Sequence, residues 1–360
     1  MSNSIQQLFR THGLAYRERF GDRMPANHKK VIQAICNCGT GVYGQHVFTC
    51  TDCGDLHSAN GSCGNRHCPT CQAGKSDEWL EKMEKKTLPV NYFMVTFTVP
   101  SELRNLIRAH QKVAYAALFK AAAEAMKKLA KDPRFVGCDT AGFTGILHTW
   151  TRQLAYHPHV HFIVPGGGID KDGKEWKPSG AAFFIHAKPL SKIYRAKFIE
   201  QLKKEGLVVP PCVWDPDWVV DCRAVGNGKK ALKYLAQYVF RVAIAPSRIL
   251  AVTDTEVLFK YQRSGEKKWR KCKLKIFEFM RRYLQHTLPH GFMKVRHYGF
   301  MAANTKVKLA RIRELICALY EIIVGLLPEK KAPHKKPWIC TSCGGLIRWR
   351  EFIPCPRGAG

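Results

Sequence analysis

A chain of 360 residues with 46% apolar content can fill the cores of two or three domains, which excludes a disordered or fibrous protein. Lysine and arginine number 58 against 28 acidic residues, a formal net charge of +30, so the surface field is strongly positive and nucleic acid is the expected partner. No run approaches the roughly 18 apolar residues of a membrane helix, and MSNSIQQLFRTHG lacks a signal-peptide core, so a cytoplasmic protein with no membrane partner is expected.

The first readable element is a cysteine-rich run. Fifteen cysteines in a cytosolic chain point to metal binding, because that compartment keeps thiols reduced. Residues 36–71 read CNCGTGVYGQHVFTCTDCGDLHSANGSCGNRHCPTC. Cys50-x-x-Cys53 and Cys68-x-x-Cys71 have the spacing with which two thiolates grip one Zn²⁺, and two such knuckles complete a tetrahedral site. Cys38, His46, Cys63 and His67 are the ligands expected for a second structural Zn²⁺, with Cys36 left over. Buried free cysteines acting as small apolar residues would not explain the repeated spacing or the interspersed glycines. Residues 1–88 are therefore expected to form a small zinc-binding, DNA-binding domain.

Beyond it, 75–86 reads as a short charged helix, and NYFMVTFTVP, 91–100, as a buried strand closed by Pro100. A central domain, 89–286, is expected to follow. Ser101 is expected to cap a helix reaching about Ala130, before strands GFTGILHTW and HVHFIVP joined across TRQLAYHP. A helix from Ser191 to about Lys204, a strand WVVDCRAV from 218, a helix from about Lys229 to Arg241 and a hairpin-like region from Arg248 to Lys275 come next. The remainder, 287–360, reads as a basic region that is part helix and part ribbon. It holds an apolar helix at roughly 305–327 and the linker PEKKAPHKKP; Cys340-x-x-Cys343 and Cys355 resemble half of a zinc ribbon without an evident fourth ligand. Helices and strands mix without strict alternation, so the fold class is α+β with a largely antiparallel sheet.

Within AYHPHVHFIVPGGGI, residues 155–169, strand alternation projects His159 and His161 to one side while Val160 and Phe162 enter a core on the other. Two imidazoles so spaced can bind one divalent ion, although a lone His-x-His is equally well read as a hydrogen-bonded pair. A metal-dependent hydrolase barrel also carries His-x-His on a strand, but it requires further His and Asp ligands, and the cysteine run and charge fit it poorly. In GKKALKYLAQYVFR, 228–241, Leu232, Leu235, Ala236 and Val239 gather into one apolar stripe. Tyr234 and Tyr238, four residues apart, share a face about half a turn away beside Gln237 and Arg241. A phenol pair facing polar surroundings near a metal suggests nucleophilic attack, and a phosphodiester is the electrophile that suits so basic a chain.

Together these segments resemble the two-tyrosine branch of the HUH single-strand nucleases, and more narrowly the rolling-circle transposases of the bacterial IS-ninety-one family. Four blocks carry the resemblance: the run ending SCGNRHCPTCQ, LHTWTRQLAYHPHVHFIVPGGGI, ALKYLAQYVFRVAIAPSRI, and LPHGFMKVRHYGFMAANTK at 288–306. The resemblance implies an HUH-type antiparallel sheet flanked by helices. It makes His159 and His161 ligands of a catalytic Mg²⁺ or Mn²⁺, and Tyr234 and Tyr238 the nucleophiles. His157 lies outside the His-hydrophobic-His core and is not assigned as a ligand. For a third ligand, His148 has the strand parity to face His161 across the hairpin, with Gln153 near the turn and Gln237 beside Tyr238 as alternatives. The implied activity is transposition in a bacterial cytoplasm. A tyrosine nicks single-stranded DNA at insertion-sequence ends, leaving a 5′-phosphotyrosine and a free 3′-OH that permits strand transfer. Lys230 and Arg241 are expected to contact the DNA, and KKWRKCKLKIFEFMRR, 267–282, to track its backbone while Trp269, Phe277 and Phe279 stack on bases. A plasmid replication initiator or relaxase would share the nuclease core. A non-enzymatic zinc DNA-binding protein would leave the histidine and tyrosine placement unexplained.

Overall fold

The computed structural model describes residues 4–240, 243–263, 266, 268–321 and 338–355, without the Gln237 side chain. In chain order these form α1 (Ser4–Phe20), α2 (Ala26–Asn37), β1 (Gln45–Cys50), β2 (Leu56–Asn60), α3 (Lys75–Glu84) and β3 (Tyr92–Thr98). Next come α4 (Arg104–Ala109), α5 (Gln111–Ala130), β4 (Thr140–Ala141), β5 (Phe143–Trp150), β6 (Tyr156–Pro165), β7 (Gly167–Ile169), β8 (Trp176–Pro178), α6 (Ala187–Lys204), β9 (Val220–Ala224) and α7 (Lys229–Phe240). The chain continues through β10 (Ile249–Val252), β11 (Glu256–Gln262), β12 (Trp269–Lys275), α8 (Ile276–Leu284), β13 (Val295–Tyr298), α9 (Leu309–Leu319) and β14 (Ile347–Ile353).

Two compact units result. One draws on residues 1–73, 244–287 and 324–360, the other on 74–243 and 288–323. One cut, after residue 287, falls beside the expected boundary at 286, but the units are not the consecutive stretches expected, because residues 244–287 group with the N-terminal ones, and aromatic packing contributes to this. Phe277 on α8 sits edge-on to Tyr16 and Phe20 of α1, with ring centroids 5.5 and 5.8 Å apart, and Tyr283 lies 5.2 Å from Phe9. Aromatic contacts thus bind α8 to the first helix across more than two hundred positions.

In the larger unit the sheet order is β13-β5-β6-β3-β9, and every pairing is antiparallel, as the mixed pattern of elements predicts. Side chains alternate across it. Phe93, Val95 and Phe97 of β3, Phe143 and Leu147 of β5 and Val160, Phe162 and Val164 of β6 share one core with the alanine-rich α5 and with α6. Phe162 meets Phe97, Phe119 and Phe143 edge-on. Such a fully buried ring contributes about 1.5–3 kcal/mol by burial. The opposite face packs Tyr92, Ile146 and Ile163 against Met83 of α3, Leu232 and Leu235 of α7 and Ile312 and Ile316 of α9. The central helices and strands agree with expectation except near residue 101. There, the chain makes a short 3-10 turn, Ser101 bonds Glu102 instead of capping, and His110 breaks the long helix into α4 and α5. The last helix, expected at roughly 305–327, is seen as Leu309–Leu319, and residues 322–327 lie outside the described residues, as does Arg241, where α7 was expected to end.

The smaller unit carries two three-stranded sheets, β14-β1-β2 and β10-β11-β12. Residues expected as a hairpin are thus a meander. Gln6 of α1 donates to the carbonyls of Ile35 and Cys38, and Arg10 donates to those of Cys36 and Cys38, satisfying acceptors that the end of α2 leaves open. That anchors Cys38 at the helix terminus.

Gly145 of β5 faces the first core, where an added Cβ would lie 2.5 Å from Phe162 and 3.0 Å from Phe119. Gly145→Ala is expected to destabilise the five-stranded unit by about 1–3 kcal/mol through overpacking, read as a lower urea midpoint.

Candidate metal centre and tyrosine helix

On the second face of the sheet, β5 and β6 pair with His148 opposite His159 and Ile146 opposite His161. His148 therefore lies diagonal to His161, and their ring centroids are 4.5 Å apart. One ring nitrogen from each of His148, His159 and His161 lies within 4.8 Å of the others, so the three could hold a metal ion. Two of the rings are oriented by partners. The Nδ1 of His159 lies 2.7 Å from the His157 carbonyl, to which it donates, and the Nδ1 of His161 lies 2.8 Å from the Thr96 hydroxyl. Each bond leaves Nε2 for a ligand, the orientation that metal-binding histidines adopt. The Nε2 of His148 is buried and has no hydrogen-bond partner among the described residues, a costly arrangement that a bound cation would relieve.

Burial pushes His148 and His161 well below the ordinary imidazole range, and the neighbouring imidazoles push the same way. Burial lowers His159 to about 4, against the raising effect of its bond to the His157 carbonyl. All three rings are therefore neutral near pH 7, the state that coordinates metal.

Helix α7 covers this cluster with its tyrosine face. Its opposite stripe is buried, Leu232, Leu235 and Ala236 being at most 2% exposed, whereas Tyr234 is 39% exposed. The Tyr238 ring lies 4.6 Å from His148 and 6.2 Å from Trp150, and Tyr234 lies 4.7 Å from Tyr238. Burial raises the Tyr234 phenol pKa, with Tyr238 adding to the effect and Arg152 opposing it. The Lys294 ammonium donates to the Tyr238 carbonyl at 2.7 Å and stands 4.7 Å over the Trp150 ring. Thr96, Trp150, Arg152 and Lys294 were not foreseen as members of this site. Thr96 alone has a signal in the sequence, a polar residue at the right parity in an otherwise apolar strand.

Of the alternative third ligands, Gln153 lies exposed on the turn between β5 and β6, while the Gln237 side chain lies outside the described residues, as does Arg241. Lys230 is exposed on the first turn of α7. In the basic segment Trp269 is 49% exposed beneath Lys260 and Arg248. Phe279 is fully buried against Phe259, and Phe277 packs on α1, so these two rings stabilise the unit and do not stack on bases.

The cysteine groupings differ from those expected. Cys38, Cys63, Cys68 and Cys71 converge, with Cys38 and Cys63 each 3.5 Å from Cys71. Those separations fit the roughly 3.8 Å edge of a tetrahedron with Zn–S bonds of about 2.3 Å. A hydrogen bond from the Cys63 thiol lowers Cys68 to about 5 against the effect of burial, so the group holds a thiolate at neutral pH. Cys50 and Cys53 do not join Cys68 and Cys71. They sit at the tip of the β1–β2 hairpin, and Cys63 follows its open end; a six-residue strand separates the two ends by roughly 17 Å. Cys340 and Cys343 meet them instead. His46 packs on Phe352 at 5.0 Å, and buried His67 accepts a hydrogen bond at its carbonyl from Tyr283; neither belongs to a cysteine group. Cys355 lies outside both groups as well.

Thr96→Val keeps the strand shape but removes the hydroxyl that orients His161. A roughly 10- to 100-fold loss of divalent-metal affinity is expected in titration calorimetry. Folding should also be pH-dependent in chelator-treated protein. Between about pH 6.5 and about 4 the unfolded chain binds protons that His159 refuses, so the urea midpoint of this unit falls as pH falls, and His159→Gln flattens that slope.

Comparison with known proteins agrees with this architecture. Residues 142–308 match a family model described as "Putative transposase", and residues 8–99 match one described as "Transposase zinc-binding domain". Two curated relatives align along most of the chain. A protein of Sinorhizobium fredii named "Putative transposase y4qJ" is 33% identical over 338 residues, covering 87% of this chain and 84% of that protein. The "Transposase for insertion sequence element IS801" of Pseudomonas savastanoi pv. phaseolicola is 27% identical over 354 residues, covering 90% of this chain and 83% of that protein. No solved structure matches. Spanning more than four fifths of a one-third-identical relative and matching both family models, the chain belongs to the IS-ninety-one family of transposases that carry an N-terminal zinc-binding domain.

Proposed function

We propose that this transposase nicks single-stranded DNA at the ends of its insertion sequence with Tyr234 and Tyr238 and rejoins it by strand transfer. The observation that carries the proposal is the packing of the Tyr238 ring against His148, centroids 4.6 Å apart, with the Tyr234 ring 4.7 Å from Tyr238, over a three-histidine cluster in which a buried His148 nitrogen has no hydrogen-bond partner among the described residues. Three neutral imidazoles form a donor set better suited to Mn²⁺ than to oxygen-seeking Mg²⁺. His148, His159 and His161 would hold a divalent ion, which would supply charge neutralisation at a scissile phosphate.

The chain's own residues perform the transfer. A tyrosine Oη forms a bond to phosphorus as the bond from phosphorus to O3′ breaks. The phosphate stays on the tyrosine as a 5′-phosphotyrosine, and the departing O3′ ends as a hydroxyl. One proton leaves the phenol and one arrives at O3′, so none is consumed overall. Because burial raises the Tyr234 pKa, its proton is lost only as the bond forms, and Arg152, which favours the phenolate, stabilises the charge developing there. The ester retains the energy of the broken bond, so the 3′-OH of another strand can reverse the step at a new junction. Two phenols on one face can hold two strand ends. Lys294, fixed by the Tyr238 carbonyl and Trp150, and the exposed Lys230 supply positive charge for the DNA backbone.

Single-stranded DNA carrying the element's ends, incubated with the protein and Mn²⁺, should give a covalent adduct on a denaturing gel. Peptide mapping should place the DNA on Tyr234, Tyr238 or both. Tyr234→Phe and Tyr238→Phe should each bind DNA yet fail in complete transposition, and the double variant should form no adduct. An adduct mapped to Tyr261 or Tyr298, or normal transposition by the double variant, would refute the assignment.

A further inference from the structure

We propose that Cys50, Cys53, Cys340 and Cys343 form a second zinc site, a ribbon whose two knuckles come from opposite ends of the chain. The four sulfurs lie within 4.8 Å of one another, with Cys50 3.4 Å from Cys343 and Cys53 3.8 Å from Cys340. These are the separations of a tetrahedral sulfur shell with Zn–S bonds of about 2.3 Å.

The backbone is built for it twice over. Residues 50–54 read CTDCG and residues 340–344 read CTSCG. In each, the closing glycine is left-handed, φ 78° at both Gly54 and Gly344, a conformation that favours glycine. Its N–H donates to the carbonyl of the first cysteine, Gly54 to Cys50 at 3.2 Å and Gly344 to Cys340 at 3.0 Å. The N–H of each first cysteine donates to a residue beyond its turn, Cys50 to Asp55 at 2.9 Å and Cys340 to Gly345 at 2.8 Å. Backbone N–H groups also point at sulfur, from Asp52 to Cys50 and from Gly345 to Cys343, both at 3.4 Å. Two unrelated loops do not share sequence, turn and hydrogen bonding by chance; this is one metal-gripping turn used twice.

The turns are also locked face to face. Thr51 donates its N–H to the Leu346 carbonyl at 2.9 Å, and a Cβ on Gly345 would lie 2.4 Å from an Asp52 carboxylate oxygen. Downstream of the second knuckle, β14 runs antiparallel along β1 from Cys50 opposite Ile347 to Gln45 opposite Ile353. His57 on β2 places Nε2 3.2 Å from the Cys340 sulfur, within reach to donate a hydrogen bond to a thiolate.

Cys53 and Cys340 are 287 residues apart in sequence, so this zinc closes a loop that contains the whole nuclease unit. Closing so long a loop removes much unfolded-state freedom. The zinc-binding unit is therefore completed only when the C-terminal segment arrives, and β1 keeps partners on both edges only while that segment stays.

Elemental analysis of the full-length protein purified under reducing conditions should find two zinc ions per chain. Cys340→Ser with Cys343→Ser should lower the count by one, and Cys50→Ser with Cys53→Ser should lower it by the same one. Iodoacetamide footprinting of the wild type tests the site without any variant. Cys340 and Cys343 should be protected in the zinc-loaded protein and become reactive when a chelator strips the metal. Zinc content unchanged by the Cys340 and Cys343 substitutions, or equal reactivity of these thiols with and without zinc, overturns the proposal.

Discussion

The register between β5 and β6 is the constraint on which the larger unit depends. Strand side chains alternate with a period of two, so each strand of the five-stranded sheet offers one face to α5 and α6 and the other to α7. Phe143, Leu147, Val160 and Phe162 are buried on the first face, and burying them fixes the pairing. A slip of one residue would turn every one of these side chains to the wrong side. Because that slip is so costly, His148, His159 and His161 are held together on the second face by side chains buried on the first. The apolar core thus sets the geometry of the polar site.

Helix α7 is positioned by the same division of labour. Leu232 and Leu235 seat it against Ile146 and Ile163, whose strand neighbours on that face are the histidines. With 100° between successive residues, the seated stripe leaves Tyr234 and Tyr238 along the flank. Tyr238 then meets His148 and Trp150, while Lys294 holds its carbonyl. A neutral imidazole cluster and a phenol raised by burial coexist because both owe their state to desolvation, which disfavours charge on either kind of group.

The cysteine-bearing unit is assembled on different terms. Its helices α1 and α2 are tied by hydrogen bonds from Gln6 and Arg10 to the end of α2, and α8 adds an aromatic seam along α1. Segments from three distant parts of the chain contribute to it. Small sheets of three strands bury little apolar surface, so thiolate groupings carry weight there that hydrophobic packing carries in the larger unit.

The sequence by itself determined the features that repeat over short distances. The alternation in HVHFIVP placed two histidines on one face, the 3.6-residue period separated the tyrosine face of α7 from its leucine stripe, and the Cys-x-x-Cys spacing announced zinc. Each is a local periodicity that neighbouring residues enforce on one another. Tertiary structure alone decided which distant pieces meet. Only the strand pairing set His148 opposite His159 and so brought a third imidazole to the pair. The cysteine partners were misread because adjacency along the chain was taken for adjacency in space. The β1–β2 hairpin, with its six-residue first strand, carries Cys50 and Cys53 away from Cys63, and β14 brings Cys340 and Cys343 to them. Phe279 looked like a base-stacking ring because its neighbours are basic, but burial against Phe259 is settled by the fold of the meander and not by those neighbours. Long-range pairing depends on the summed burial of many residues, and no short window of sequence contains that sum.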